Sequence, residues 1–165
     1  MNNIILIGFM GSGKTTLGKL LADELKYTFI DSDQYIESQE KRSITEIFKQ
    51  EGELYFRKKE KEFLLHAKLL DKCVISTGAG LPTIGDNMQQ LNALGLTIWL
   101  DVNALTLIER LKKESSSRPK LSGFDSIEEA VRTGLSNRIQ FYEQAKLQMK
   151  DPSPENFVQI VKNII

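Results

Sequence analysis

Ile4-Ile5-Leu6-Ile7-Gly8-Phe9-Met10-Gly11-Ser12-Gly13-Lys14-Thr15 sets the fold of this chain. The opening Ile4–Ile7 is a continuous apolar run closed by glycine, the pattern of a strand buried on both faces of a parallel sheet. From Gly8 onward the stretch fits G-x-x-x-x-G-K-[ST], a phosphate-binding loop. Beyond it Leu17, Leu20, Leu21 and Leu25 recur at helical spacing, so a helix is expected over Lys14 to Leu25. Strand, glycine-rich turn and helix N-terminus in that order gather donors around a polyphosphate. Glycines let backbone N–H groups turn inward with no Cβ in the way, and the helix end adds partial positive charge. Gly11, Ser12, Gly13 and Thr16 belong to this loop. Lys14 suits the β- and γ-phosphates, and the Thr15 hydroxyl suits Mg²⁺.

Outward from the loop, strand and helix patterns alternate. Tyr27 to Asp31 reads as a second strand, and Gln34 to about Leu70 as helix with a break near Glu51-Gly52-Glu53. Lys72 to Ser76 is a third strand, Asp86 to Leu94 a short helix and Leu96 to Leu100 a fourth strand. Ala104 to Glu114 is helical. Ser115 to Asp125 is polar, holds Arg118-Pro119 and Gly123, and reads as a mobile loop. Ser126 to Ala145 is helical, with Ser126 and Glu129 spaced as a capping box. Leu147 to Lys150 fits a fifth, edge strand, and Pro154 opens a last helix. Such alternation implies an α/β/α fold in three layers on a five-stranded parallel sheet, with ligands at the carboxyl ends of its strands. One domain is expected over 1–165.

Composition narrows the partners. Lys+Arg and Asp+Glu are both 22 among 165 residues, so the formal charge is zero. A general nucleic-acid binder usually carries a basic excess. No apolar stretch reaches ~18 residues, so no membrane span is expected. With a lone cysteine, Cys73, no intrachain disulfide can form, which fits a reducing compartment. A cytoplasmic monomer is the expectation. Cys73 reads as a buried strand residue, and His66 as a helix-packing or surface residue.

Several polar residues fall at strand ends or on helix faces. Asp31 can hold Mg²⁺ directly or through water, and Asp33 can take the proton of an attacking hydroxyl. Asp33 would equally serve as a helix N-cap before Gln34. Arg57 and Glu60, at i,i+3, can meet on one helix face, and a guanidinium suits a carboxylate ligand; a solvated basic face is the alternative. Gly78, Ala79 and Gly80 follow the third strand, where small residues permit close backbone approach or simply make a turn. Arg118 can close over phosphates with that loop, or be an ordinary exposed arginine. Arg138 and Tyr142, at i,i+4, share a helix face.

Taken together these motifs resemble shikimate kinase, over nearly the whole chain and in the family's order. Gly8–Thr15 is similar to its phosphate loop and Asp31-Ser32-Asp33 to its D-x-D. Gly52-Glu53-Leu54-Tyr55-Phe56-Arg57 is similar to its G-E-x-x-F-R, with Glu60 in register. Arg118-Pro119 is similar to its lid, and Arg138 with Tyr142 to its R-x-x-x-Y. The resemblance implies transfer of the γ-phosphoryl of ATP, with Mg²⁺, to the 3-hydroxyl of shikimate. It implies that Asp33, Arg57, Gly78, Ala79, Gly80 and Arg138 hold shikimate, the arginines taking its carboxylate. Lys14, Asp33 and Arg118 would be catalytic, Thr15 and Asp31 would hold the metal, and Arg110 and Pro154 would flank adenine. The family carries three consecutive glycines where this chain has Gly78-Ala79-Gly80. An alanine at a φ > 0 position costs on the order of 1 kcal/mol; at ordinary φ its methyl only narrows the pocket. Another small-molecule kinase of the same fold, for gluconate or a nucleoside monophosphate, would share the phosphate loop but not G-E-x-x-F-R with a distant R-x-x-x-Y. A GTPase switch would need N-K-x-D and D-x-x-G, and neither string occurs.

Overall fold

The computed structural model describes residues 2–114 and 125–165. In it β1 (Asn3–Ile7) leads through the phosphate loop into α1 (Lys14–Leu25), and β2 (Thr28–Asp31) into α2 (Ser32–Glu40), α3 (Ile44–Glu51) and α4 (Glu53–Ala67). Next come β3 (Cys73–Ser76), a 3-10 turn at Leu81–Thr83, α5 (Asn87–Leu94), β4 (Gly95–Asp101) and α6 (Ala104–Glu114). The last elements are α7 (Ile127–Tyr142), β5 (Leu147–Lys150) and α8 (Pro154–Ile164).

The strands form one five-stranded sheet in the order β2-β3-β1-β4-β5. Every neighbouring pair is parallel, β1 being central with Ile4 opposite both Val74 and Leu96. Side chains alternate across a strand, so β1 sends Ile5 and Ile7 to one face and Ile4 and Leu6 to the other. Ile5, Ile7, Ile75 and Trp99 pack with Phe63 and Leu64 of α4, Leu91 of α5 and Tyr142 of α7. Ile4, Leu6, Val74 and Ile98 pack with Leu17 and Leu21 of α1 and Phe157 and Val161 of α8. Helices therefore cover both faces, the arrangement that an all-apolar central strand requires. Burying each such side chain contributes roughly 1.5–3 kcal/mol. A smaller cluster of Phe9, Val102, Leu107, Leu111 and Val131 ties the phosphate loop to α6 and α7.

Three details of the local reading change. The helical stretch after β2 is broken at Lys41–Ser43 as well as at Gly52. Lys41 takes a left-handed φ of 53° to end α2. Ser43 and Glu46 then form a reciprocal capping box that starts α3. The expected box at Ser126 is only half made: Ser126 Oγ accepts from the Glu129 N–H, but the Glu129 carboxylate accepts from the Asp125 N–H. Asp33 is not an N-cap. Asp31 holds that post, accepting from the backbone N–H groups of Asp33 and Gln34, and this leaves the Asp33 carboxylate for other work.

Candidate active site

The phosphate loop is built to receive an anion. Gly11 and Gly13 have φ of 78° and 92°, conformations in which a side chain is strained. Helices α2, α3, α7 and α8 are each capped by a side chain. Helix α1 has no side-chain cap and no acid in its first turn, so its first N–H groups remain for a ligand. Lys14 is buried, its Nζ donating to the carbonyls of Gly8 and Phe9 at 2.9 and 2.8 Å. Burial lowers its pKa to about 8; Asp33 and Asp31 oppose that shift, while the nearby Arg138 charge adds to it.

The end of β2 supplies both acids. Thr15 Oγ1 donates to Asp31 Oδ2 at 3.0 Å, joining the two residues expected at the metal. Asp33 faces inward, and its Oδ1 is buried without a hydrogen-bond partner. Burial, and then the neighbouring Asp31 charge, push the Asp33 carboxyl up to about 6 against the pull of Lys14. Such a value suits a group that must accept a proton near neutrality.

The loop after β3 forms a floor on which side chains from other elements rest. A Cβ on Gly78 would lie 2.5 Å from Asp33 Oδ1, and one on Gly80 would lie 3.0 Å from Arg57 Nη1. The small residues at this strand end therefore make room first for the chain's own carboxylate and guanidinium. Neither glycine has a left-handed φ, and among the described non-glycine residues positive φ is confined to Lys26, Lys41, Lys72 and Asp151. Ala79 thus carries no backbone penalty, and only its methyl distinguishes it from glycine. Arg57 is held from its own helix by Glu60 and Glu53, each at 2.8 Å. Glu60 is 1% exposed, and burial raises its pKa while Arg57 lowers it.

Helix α7 brings Arg138. A Cβ on Gly134 would stand 2.7 Å from the Phe9 ring, so α7 lies directly on the phosphate loop. One turn further on, the Arg138 guanidinium sits 5.2 Å from the centre of that same ring. From α6, Arg110 donates from Nη1 to the Gly11 carbonyl of the phosphate loop at 2.9 Å.

A cleft of about 670 Å³ joins these parts; Gly11 to Thr16, Asp31, Asp33, Gly78, Ala79, Arg110 and Pro154 line it. Arg57, Gly80 and Arg138 are not among its lining residues. Arg57 lies against Gly80 and Arg138 over Phe9, and the charge of each acts on a lining residue, Arg57 on Asp33 and Arg138 on Lys14. Arg118, and the expected lid up to residue 124, lie outside the described residues. Sequence reasoning assigns no role to Ser32, which is fully buried with its Oγ accepting the Gly78 N–H at 2.8 Å. Its position inside D-x-D was the one available signal. Asn87, which donates to the Leu81 carbonyl at 2.8 Å, was likewise unremarked.

Compared with protein families, residues 10–165 match the model described as shikimate kinase. The chain belongs to the shikimate kinase family. A shikimate kinase of Clostridium botulinum is 47% identical over 148 residues, which are 88% of this chain and 85% of that protein. The crystal structure of shikimate kinase from Bacteroides thetaiotaomicron superposes with a TM-score of 0.91 at 36% identity, covering 99% of this chain and 97% of that one. Shikimate kinase from Acinetobacter baumannii, solved in complex with shikimate, gives a TM-score of 0.86 at 30% identity, covering 99% and 90%. As a shikimate kinase family member, this chain catalyses the ATP-dependent phosphorylation of shikimate, a step of aromatic amino-acid biosynthesis. No helix among the described residues is long and apolar enough to cross a membrane.

Proposed function

We propose that the cleft performs in-line transfer of the ATP γ-phosphoryl to the 3-hydroxyl of shikimate, with the following division of labour. Asp33 accepts the hydroxyl proton as the oxygen bonds to the γ-phosphorus. The bond from that phosphorus to the β,γ-bridging oxygen breaks, and ADP leaves. Arg57 and Arg138 grip the shikimate carboxylate, and Gly78, Ala79 and Gly80 form the floor beneath it. Lys14 and the N–H groups of Gly11 to Thr16 hold the phosphates. Lys14 must leave the Gly8 and Phe9 carbonyls to do so, which ties its release to nucleotide arrival. Arg110 and Pro154 flank the adenine. Arg118 comes in with the lid and neutralises charge on the moving phosphoryl.

Thr15 and Asp31 fit Mg²⁺: both offer hard oxygen atoms, they already touch at 3.0 Å, and Mg²⁺ commonly takes one or two protein ligands beside phosphates. Bound there, the ion would supply charge neutralisation for the nucleotide's phosphates.

One observation carries this reading most. Asp33 and Arg57 are pressed against Gly78 and Gly80, so that acid and guanidinium meet over one loop beside Lys14. The test measures ADP release with shikimate, gluconate and nucleoside monophosphates side by side, in wild type, Arg57→Ala and Arg138→Ala. Activity with shikimate alone, and a KM for shikimate raised in both variants, is the expected result. Unchanged shikimate KM in both variants removes the carboxylate grip.

A further inference from the structure

The floor loop is tied down by side chains from three separate elements. Gly78 donates its N–H to Ser32 of α2, and Asn87 of α5 donates to the Leu81 carbonyl, each at 2.8 Å. The third tie is Tyr142, at the end of α7. Its hydroxyl donates to the Ala79 carbonyl at 2.8 Å, across 63 positions of sequence. The side chain is fully buried, with the Trp99 ring 6.0 Å away, centre to centre. Arg138 stands four residues earlier on the same helix, so the two side chains share one face; burial raises the hydroxyl's pKa, and the Arg138 charge lowers it.

We propose that Tyr142 is a positioning residue that locks the Arg138 guanidinium to the Gly78–Gly80 floor, so that the two sides of the acceptor site keep one spacing. The inference rests on reading Arg138 and that floor as the shikimate site. The Phe9 ring supports one side of Arg138, and Tyr142 ties the same helix face to the floor. The same hydroxyl stays protonated, because burial pushes its pKa up to about 12, and so it keeps donating to Ala79. Without it the Ala79 carbonyl loses a donor and Arg138 regains rotamer freedom, which must be given up again when a carboxylate binds. Since the tie at Ala79 is to its backbone carbonyl, it does not depend on the side chain there.

The test is a double-mutant cycle read as separate constants. KM for shikimate, KM for ATP and kcat are measured in wild type, Tyr142→Phe, Arg138→Ala and the double variant, with Tm for each. Tyr142→Phe keeps the ring against Trp99. It is expected to raise shikimate KM roughly fivefold, the worth of the neutral hydrogen bond it removes at the Ala79 carbonyl, with ATP KM unchanged within about twofold. In the Arg138→Ala background the same change is expected to have no further effect on shikimate KM. A full additional rise in that background overturns the coupling, as does an equal rise in both KM values. If Arg138→Ala leaves shikimate KM unaltered, the acceptor assignment itself is wrong, a separate outcome. Should Tyr142→Phe not fold, Tyr142→Leu is read in the same two backgrounds; a rise in shikimate KM of equal size with and without Arg138 overturns the proposal.

Discussion

Replacing Gly78 by alanine is the sharpest test of the site, because the backbone there has ordinary φ and only space is at issue. The new Cβ would stand 2.5 Å from Asp33 Oδ1 and 3.1 Å from its Cγ and Oδ2, where ordinary contact begins at 3.4 Å. Backbone bonds hold both partners: Gly78 through Ser32, and Asp33 in the first turn of α2, capped by Asp31. The carboxylate must therefore retreat by roughly 1 Å, and a misplacement of that size costs about 100-fold in rate, or ~2.7 kcal/mol of activation free energy. Overpacking adds about 1–3 kcal/mol of instability, equivalent to a Tm loss of roughly 2–12 °C in a chain of this size. The assay is kcat and kcat/KM for shikimate at saturating ATP, with Tm measured in parallel. Gly80→Ala is the comparison, since its nearest atom is the mobile end of Arg57 at 3.0 Å. That variant should change shikimate KM by less than about tenfold and leave kcat nearly intact, because a long side chain can give way. A folded Gly78→Ala protein with kcat within threefold of wild type refutes the reasoning. Either the loop yields freely, or Asp33 is not the base.

Other outcomes follow from the charges. With Asp33 at about 6 and Lys14 at about 8, kcat/KM should rise with pH through about 6 and fall above about 8; a flat acid limb excludes Asp33 as the base. The folded state holds the Asp33 proton more tightly than the unfolded state, so this residue's contribution to stability falls as pH rises from 3.8 through about 6. Asp33→Asn should thus be nearly inactive yet more stable at pH 7.5 by ~1–3 kcal/mol, a Tm gain of several degrees; an unchanged or lower Tm contradicts the buried-carboxylate account. Arg57→Ala strands Glu60, which is 1% exposed, and should lose about 3 kcal/mol of stability along with shikimate affinity. Adding Glu60→Gln should restore much of the stability and none of the affinity; recovery of both points to a purely structural ion pair. Ala79→Gly should lower shikimate KM modestly, by about two- to fivefold, through the removed methyl, and an unchanged KM shows that the methyl faces no substrate.

The phosphate loop was legible because its chemistry is local: strand, turn and helix N-terminus are consecutive, and each residue type answers to a backbone requirement. The inner strands were legible for a related reason, since a sheet covered on both faces leaves near-continuous apolar runs at β1, β3 and β4. Arg57 and Glu60 could be paired from their spacing on one helix. Less of the detail around them could be read. The Lys41–Ser43 break was missed although Ser43 and Glu46 carry the spacing of a capping box, because helical periodicity continued on either side. Whether Asp33 caps its helix or keeps its carboxylate free could not be read, since only the fold shows that Asp31 takes the cap and leaves Asp33 Oδ1 buried without a partner.

By itself, then, the sequence determined a parallel α/β sheet, a nucleotide loop and the kinds of side chain available for an acid substrate, because those follow from period and from neighbours along the chain. Tertiary structure alone decided which small residue makes room for which charge, Gly78 for Asp33 and Gly80 for Arg57. It alone tied Tyr142 to Ala79, 63 positions away. The physical reason is that such contacts depend on the strand order β2-β3-β1-β4-β5, which sets β3 between the first two strands of the chain and brings its loop under residues from α2, α4 and α7.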